Sequence, residues 1–288
     1  MNSVTVITGA SSGIGAALAQ QLAREQHRLV LAARREDRLA GLERELRAAG
    51  ATVLAVRCDV TRRDEAEALI HRAVREFGRI DVLVNNAGRG HFSSVEDTTD
   101  EMIESMFAVN VYALWHTTRP ALKYMRAQRA GHIINVASIA GKIAFPFNSA
   151  YVAAKHACVG FTHALRLELV ETGIHASVVC PAGVMTEWAS ATEGGSILEL
   201  FSESGPAVKE IAADRGATLP PIEGVMPAEA VAAAIVRCIR EPTAEVYTHA
   251  GSREFVVMSA RSREEAERYQ IPVVLGERAV YERLKSRP

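Results

Sequence analysis

Cysteine is scarce and never paired. Cys58, Cys158, Cys180 and Cys238 are the only four, widely separated and without a CxxC spacing. That pattern excludes the common zinc frameworks and predicts buried, reduced thiols rather than a disulfide scaffold. No apolar run reaches the roughly 18 residues that cross a bilayer, so no membrane partner is expected. The first predicted strand begins at Val4. No signal or transit peptide is expected ahead of it, and the expected location is the cytoplasm. No block of like charge stands out either: 33 Lys and Arg are interspersed with 34 Asp and Glu, for a net charge of −1. Neither a nucleic-acid tract nor a lipid-facing cluster fits that distribution. Internal repeats and low-complexity segments are also absent.

What the chain does have is alternation. Its 288 residues are 48% hydrophobic, enough for one sizeable core. Near-continuous apolar runs predict strands over 4–8, 28–33, 52–58, 80–88, 131–138, 174–183 and 244–248. Amphipathic stretches between them predict helices from about Gly13 and over 36–49, 62–77, 100–129, 150–172 and 227–240. Strands buried on both faces and separated by helices make a parallel sheet, and right-handed crossovers wind it doubly. The expected fold is therefore α/β: a single Rossmann-type domain over 1–250 with helices on both faces of the sheet. Two regions break the rhythm. Residues 184–226, with Gly194, Gly195, Pro206, Pro220 and Pro221, read as a substrate loop or lid. The charged extension 251–288 has no assignable role.

The stretch "VTVITGASSGIGAALAQQLA" joins a strand to a helix through Gly9, Gly13 and Gly15. Gly9 permits a tight turn, Gly13 a close backbone approach to a ligand, and Gly15 close helix packing. The helix start then offers free N–H groups to a pyrophosphate. The predicted cofactor set here is Gly9, Ser11, Ser12, Gly13, Ile14 and Gly15. A P-loop is excluded, because Ala16 and Ala17 stand where Lys and Ser or Thr would follow the last glycine. The second strand ends in Ala32-Ala33 and not in the acid that holds the 2′-hydroxyl of NAD. Arg34 and Arg35 follow, and guanidinium groups suit a 2′-phosphate. NADP is the expected cofactor. The alternatives are a merely solvated helix start, or ribose contacts from Glu36 or Asp37 that would serve NAD.

A larger constellation then appears in order: "TGASSGIG", "CDV", "NNAG", Asn110, Ser138, "YVAAK" and "PAG". Together these residues resemble the short-chain dehydrogenase/reductase family over about residues 4–250. Carbonyl reduction needs a hydride at carbon and a proton at oxygen. Tyr151 supplies the right group for the proton, and Lys155, one helical turn on, shares its face. An unperturbed phenol titrates near 10, so the lysine and an oxidised nicotinamide are expected to bring it down by about 3 units. Ser138, at a strand end, is suited to orient the substrate oxygen. The resemblance implies that Asn110 holds a water relaying protons to Lys155, and that Lys155 also holds the nicotinamide ribose. It implies further cofactor contacts from Asp59 and Val60 at the adenine and from Asn86, Ala87 and Gly88 along the fourth strand. Pro181, Gly183, Val184 and Thr186 would hold the carboxamide end. Relatives with a basic residue in place of Ser12 use it for NADP; here that duty falls to Ser11, Arg34 and Arg35.

Substrate candidates flank this set: Phe92, Phe145, Met185 and Trp188, with His91, Ile139 and Phe147 nearby, mostly apolar. A neutral or lipophilic ketone, aldehyde or secondary alcohol is expected. The scattered histidines have no metal-ligand spacing, so no metal is expected. Alanine-rich faces on the two helices carrying Asn110 and Tyr151 resemble those the family uses to assemble, which implies a homodimer or homotetramer. The alternative function is a non-catalytic NADP(H)-binding sensor on the same fold. A longer-chain epimerase or dehydratase is disfavoured by the glycine spacing.

Overall fold

The computed structural model describes residues 3–189, 192–194, 197–222 and 224–286. Seven parallel strands form one sheet: β1 (Val4–Thr8), β2 (Arg28–Ala33), β3 (Val53–Arg57), β4 (Val82–Asn85), β5 (Gly131–Val136), β6 (Ile174–Cys180) and β9 (Glu245–Tyr247). Their order across the sheet is β3-β2-β1-β4-β5-β6-β9. The direction of winding reverses between β1 and β4, so the carboxyl ends of these strands open a crevice there. This is the doubly wound sheet expected from the sequence.

Alternation along β2 shows why both faces are covered. Leu29 and Leu31 enter a core with α1 (Gly13–Arg24), α2 (Glu36–Ala48) and α8 (Ala228–Arg240). Val30 and Ala32 enter the opposite core with α3 (Arg63–Phe77), α5 (Ala113–Gln128) and α6 (Ser149–Glu168). Each large aliphatic side chain buried this way contributes about 1.5–3 kcal/mol. Across the second layer runs a buried polar chain. Thr117 Oγ1 donates to Asn85 Oδ1 (2.7 Å), Asn85 Nδ2 to Asn135 Oδ1 (2.8 Å) and Asn135 Nδ2 to Thr162 Oγ1 (2.8 Å). It ties α5 to α6 through β4 and β5, and so fixes the two helices on one face of the sheet.

Three regions differ from the sequence-based expectation. The helix predicted over 100–129 is α4 (Asp100–Phe107), a π-turn over 108–112, then α5. Residues 184–226 hold more order than expected. β7 (Gly183–Met185) pairs with β8 (Val225–Pro227), and α7 (Ile197–Asp214) lies between them. The extension is helical too: α9 (Ser252–Arg261) and α10 (Arg263–Lys285). α10 packs on α7, where a Cβ on Gly276 would come within 2.6 Å of Val208. Its far end is anchored by Tyr281. That ring stacks on Phe147 (4.5 Å between centroids), and its hydroxyl donates to Asp97 (2.9 Å). The extension thus packs on α7 and on the segments that follow β4 and β5.

Glu277, also on α10, is 6% exposed, and burial pushes its carboxyl up to about 7 from an ordinary 4.5. The folded chain holds this proton more tightly than the unfolded chain. The stabilisation is therefore full below about pH 4.5 and declines as pH rises towards 7, by at most roughly 3 kcal/mol. Glu277→Gln is expected to flatten that slope. Thermal midpoints followed from about pH 5 to 8 check it, and parallel curves for the two proteins would refute it.

Candidate active site

The glycine turn leaves β1 with Gly9 at φ +65°. A Cβ there would lie 2.9 Å from the Ala87 backbone, and one on Gly15 only 2.5 Å from the Gly9 carbonyl. The turn is locked to the end of β4 by side chains. Thr8 Oγ1 accepts from the N–H groups of Asn86 and Ala87 (both 3.0 Å), and Asn86 Nδ2 donates to the Thr8 carbonyl (2.9 Å). Just past the end of β4, Asn86 and Ala87 thus bond to the turn. Ser12 caps α1 in extended backbone (φ −168°) without a side-chain cap bond. The first-turn N–H groups therefore remain available to an anion.

Arg35 reaches this turn and Arg34 does not. Arg35 Nε donates to Ser11 Oγ (3.2 Å), and another guanidinium nitrogen donates to Ser12 Oγ. Arg34 faces Asp59. Burial pushes the Asp59 carboxyl up, but bonds from Thr61 and the Arg34 and Arg57 charges outweigh it and hold it below its usual value. Two residues missing from the sequence-based site join here. Glu187, just beyond Thr186, accepts from Arg35 (2.8 Å) and from Arg38. Thr186 itself packs on Gly13, where a Cβ would come within 3.0 Å of its methyl group.

The predicted catalytic side chains converge at the carboxyl ends of β4 and β5. Tyr151 and Lys155 share one buried face of α6, with the ammonium nitrogen 5.6 Å from the Tyr151 ring centre. Lys155 Nζ donates to the Val136 carbonyl (3.1 Å), and burial lowers its pKa. Ser138 follows β5; its hydroxyl accepts from Ala140 N–H (3.1 Å) and donates to the Pro181 carbonyl (3.4 Å). The Tyr151 phenol is buried beside Ser138. Burial pushes it up to about 12, only partly opposed by a hydrogen bond with Ser138.

Asn110 lies in the π-turn, which carries its side chain inward. Its Nδ2 donates to the carbonyls of Arg89 and Met106 (both 3.1 Å), while its buried Oδ1 has no hydrogen-bond partner among the described residues. A Cβ on Gly88 would sit 2.8 Å from that oxygen and 3.4 Å from Lys155 Nζ, so glycine keeps the space between them open. The "PAG" segment is held by His249, which the sequence offered no reason to single out. Its Nδ1 accepts from Ala182 N–H (3.2 Å) and its Nε2 bonds the Gly183 carbonyl (2.7 Å).

Of the substrate candidates, Trp188 lies 5.4 Å from the Tyr151 ring, and Phe145 packs in the same cluster. Phe92 and Phe147 lie further out against Tyr281. His91 is buried but bonds Thr98, and Ile139 packs towards α9. Met185, on β7, is 64% exposed. Beyond β7, Glu193 pairs with Arg89 (2.9 Å) and accepts from Phe92 N–H through its carbonyl (2.7 Å). All four cysteines are free and buried, and no metal-holding cluster occurs among the described residues. Nor is any helix among them long and apolar enough to cross a membrane.

A glycine turn feeding a bare helix start, at the switch point of a parallel sheet, defines a doubly wound dinucleotide-binding fold. The chain belongs to the short-chain dehydrogenase family, whose model matches residues 3–195. It is 35% identical over 241 residues to the ketoacyl reductase HetN of Nostoc, covering 84% of this chain and 76% of that one. A short-chain dehydrogenase/reductase from Burkholderia phymatum, solved with NAD, superposes with a TM-score of 0.79 at 33% identity, covering 91% and 94% of the two chains. A point variant of actinorhodin polyketide ketoreductase, solved with NADPH, gives 0.76 at 34% identity over 87% and 97%.

Proposed function

We propose that this oxidoreductase transfers a hydride between NADP(H) and a ketone, aldehyde or secondary alcohol. The observation that carries the reading is the convergence of Ser138, Tyr151, Lys155 and Asn110 beside a glycine turn bearing Arg35. The turn, the bare N-cap and the guanidinium fit a dinucleotide phosphate, and the contacts assigned to Asp59, Val60, Asn86, Ala87, Gly88, Pro181, Gly183, Val184 and Thr186 follow the same crevice. When bound, NADPH supplies the hydride. The chain supplies everything else. Ser138 orients the substrate oxygen with its hydroxyl. Tyr151, a protonated phenol at neutral pH, gives its proton to that oxygen. Lys155 places positive charge near the phenolate left behind, and Asn110 Oδ1 positions a water that returns the proton through the lysine. The phenyl and indole rings around Tyr151 favour a neutral or lipophilic substrate, and exposed Tyr112, Leu167 and Val170 favour a homo-oligomer.

Titration with NADPH and NADH side by side tests the cofactor assignment. NADPH is expected to bind more tightly, and Arg35→Ala to weaken it by roughly tenfold or more while sparing NADH. Equal affinities would remove the 2′-phosphate assignment. A panel of apolar ketones against small charged keto acids tests the substrate class, with higher kcat/KM expected for the former.

A further inference from the structure

Glu187, just after β7, reaches the predicted phosphate subsite with its carboxylate. Its oxygen lies 2.8 Å from one Arg35 guanidinium nitrogen, and the same oxygen accepts from Arg38. The other Arg35 nitrogens bond Ser11 and Ser12 of the glycine turn. Two guanidiniums and two hydroxyls form a donor array of the kind that recognises a phosphate monoester, and the Glu187 carboxylate oxygen occupies it as the acceptor. All three charged groups are about half exposed, so the pairing is readily exchanged in water.

The carboxylate is not isolated from the chemistry. Thr186, one residue before it, packs on Gly13 of the turn. Trp188, one residue after it, lies 5.4 Å from the Tyr151 ring. Residues 186–188 therefore form a strap with one end on the phosphate subsite and the other on the proposed proton donor.

We infer that Arg38 joins Arg35 in binding the 2′-phosphate of NADP, and that Glu187 is an internal anion which the phosphate must displace. This rests on the cofactor assignment above. The exchange sets cofactor selectivity, because only a nucleotide with a 2′-phosphate replaces the lost carboxylate contacts. It also couples the subsite to catalysis: freeing Glu187 releases the strap and with it Trp188 beside Tyr151.

The test uses the full chain in a Trp115→Phe background, which leaves Trp188 as its only tryptophan. Its emission is followed on titration with adenosine 2′,5′-bisphosphate and, separately, with AMP; neither carries a nicotinamide to quench it. The bisphosphate is expected to change the emission and AMP to leave it unchanged. Glu187→Gln is expected to bind the bisphosphate and NADPH roughly two- to fivefold more tightly with NADH unmoved. Arg38→Ala is expected to weaken NADPH and not NADH. Equal responses to the two nucleotides, or no tightening in Glu187→Gln, overturn the inference while leaving NADPH binding itself intact. Failure of wild type to bind NADPH at all overturns the cofactor assignment instead.

Discussion

Tyr151→Phe is expected to lower kcat by roughly 10²- to 10⁴-fold, the range a positioned general acid contributes. The variant removes one oxygen from a fully buried site and leaves the ring in its cluster with Met106, Ala140 and Ala150. The fold and NADPH affinity are therefore expected to persist, and the loss to fall on kcat. The pH profile carries a second expectation. Burial holds the phenol up to about 12 and lowers the Lys155 ammonium. Reduction needs the phenol protonated, so its rate is expected to hold through neutral pH and fall on the alkaline side. Oxidation needs the phenolate and is expected to rise with pH. Stopped-flow turnover of wild type and variant across pH, beside NADPH titrations, measures both. A variant within tenfold of wild type would take the proton from another donor.

Gly15→Ala sets two effects against each other. Alanine favours a helix interior over glycine by about 1 kcal/mol. At this position its methyl carbon would lie 2.5 Å from the Gly9 carbonyl, 2.7 Å from Asn86 Nδ2 and 3.0 Å from Ala10 Cα. Two of those atoms are backbone and cannot swing away, so overpacking of about 1–3 kcal/mol is expected to win. The turn must then shift against Asn86 and Ala87, and NADPH affinity is expected to fall by roughly tenfold or more. Thermal denaturation and fluorescence titration of the purified variant check both. A more stable variant with unchanged affinity would show that the turn yields at no cost.

The proposed catalytic face was legible because it is local. Tyr151 and Lys155 are four apart on one helix, and the helical repeat alone sets them side by side. Asn110 was named, but not its setting: nothing in "FAVNVYA" announces a π-turn, which exists because α4 and α5 each pack on different partners. The second strand's arginines were legible as a pair, yet their neighbours divide them. Arg35 meets Ser11 and Ser12, while Arg34 meets the charge of Asp59. The extension was opaque for a different reason. Its length, Pro272 and dense charge mask the inward stripe, and its partner Val208 lies on α7, in the other segment that breaks the strand–helix rhythm.

By itself the amino-acid sequence determined the alternation of strand and helix, the doubly wound class, the glycine turn and the Tyr–Lys face. All of these follow from periods of two and 3.6 residues and from local backbone freedom. Only the tertiary structure decided that Glu187 faces Arg35 and Arg38, that His249 holds the "PAG" segment, and that Tyr281 stacks on Phe147. Those contacts join residues far apart in the chain. Their geometry is set by how the lid and extension pack on the sheet, which no local pattern encodes.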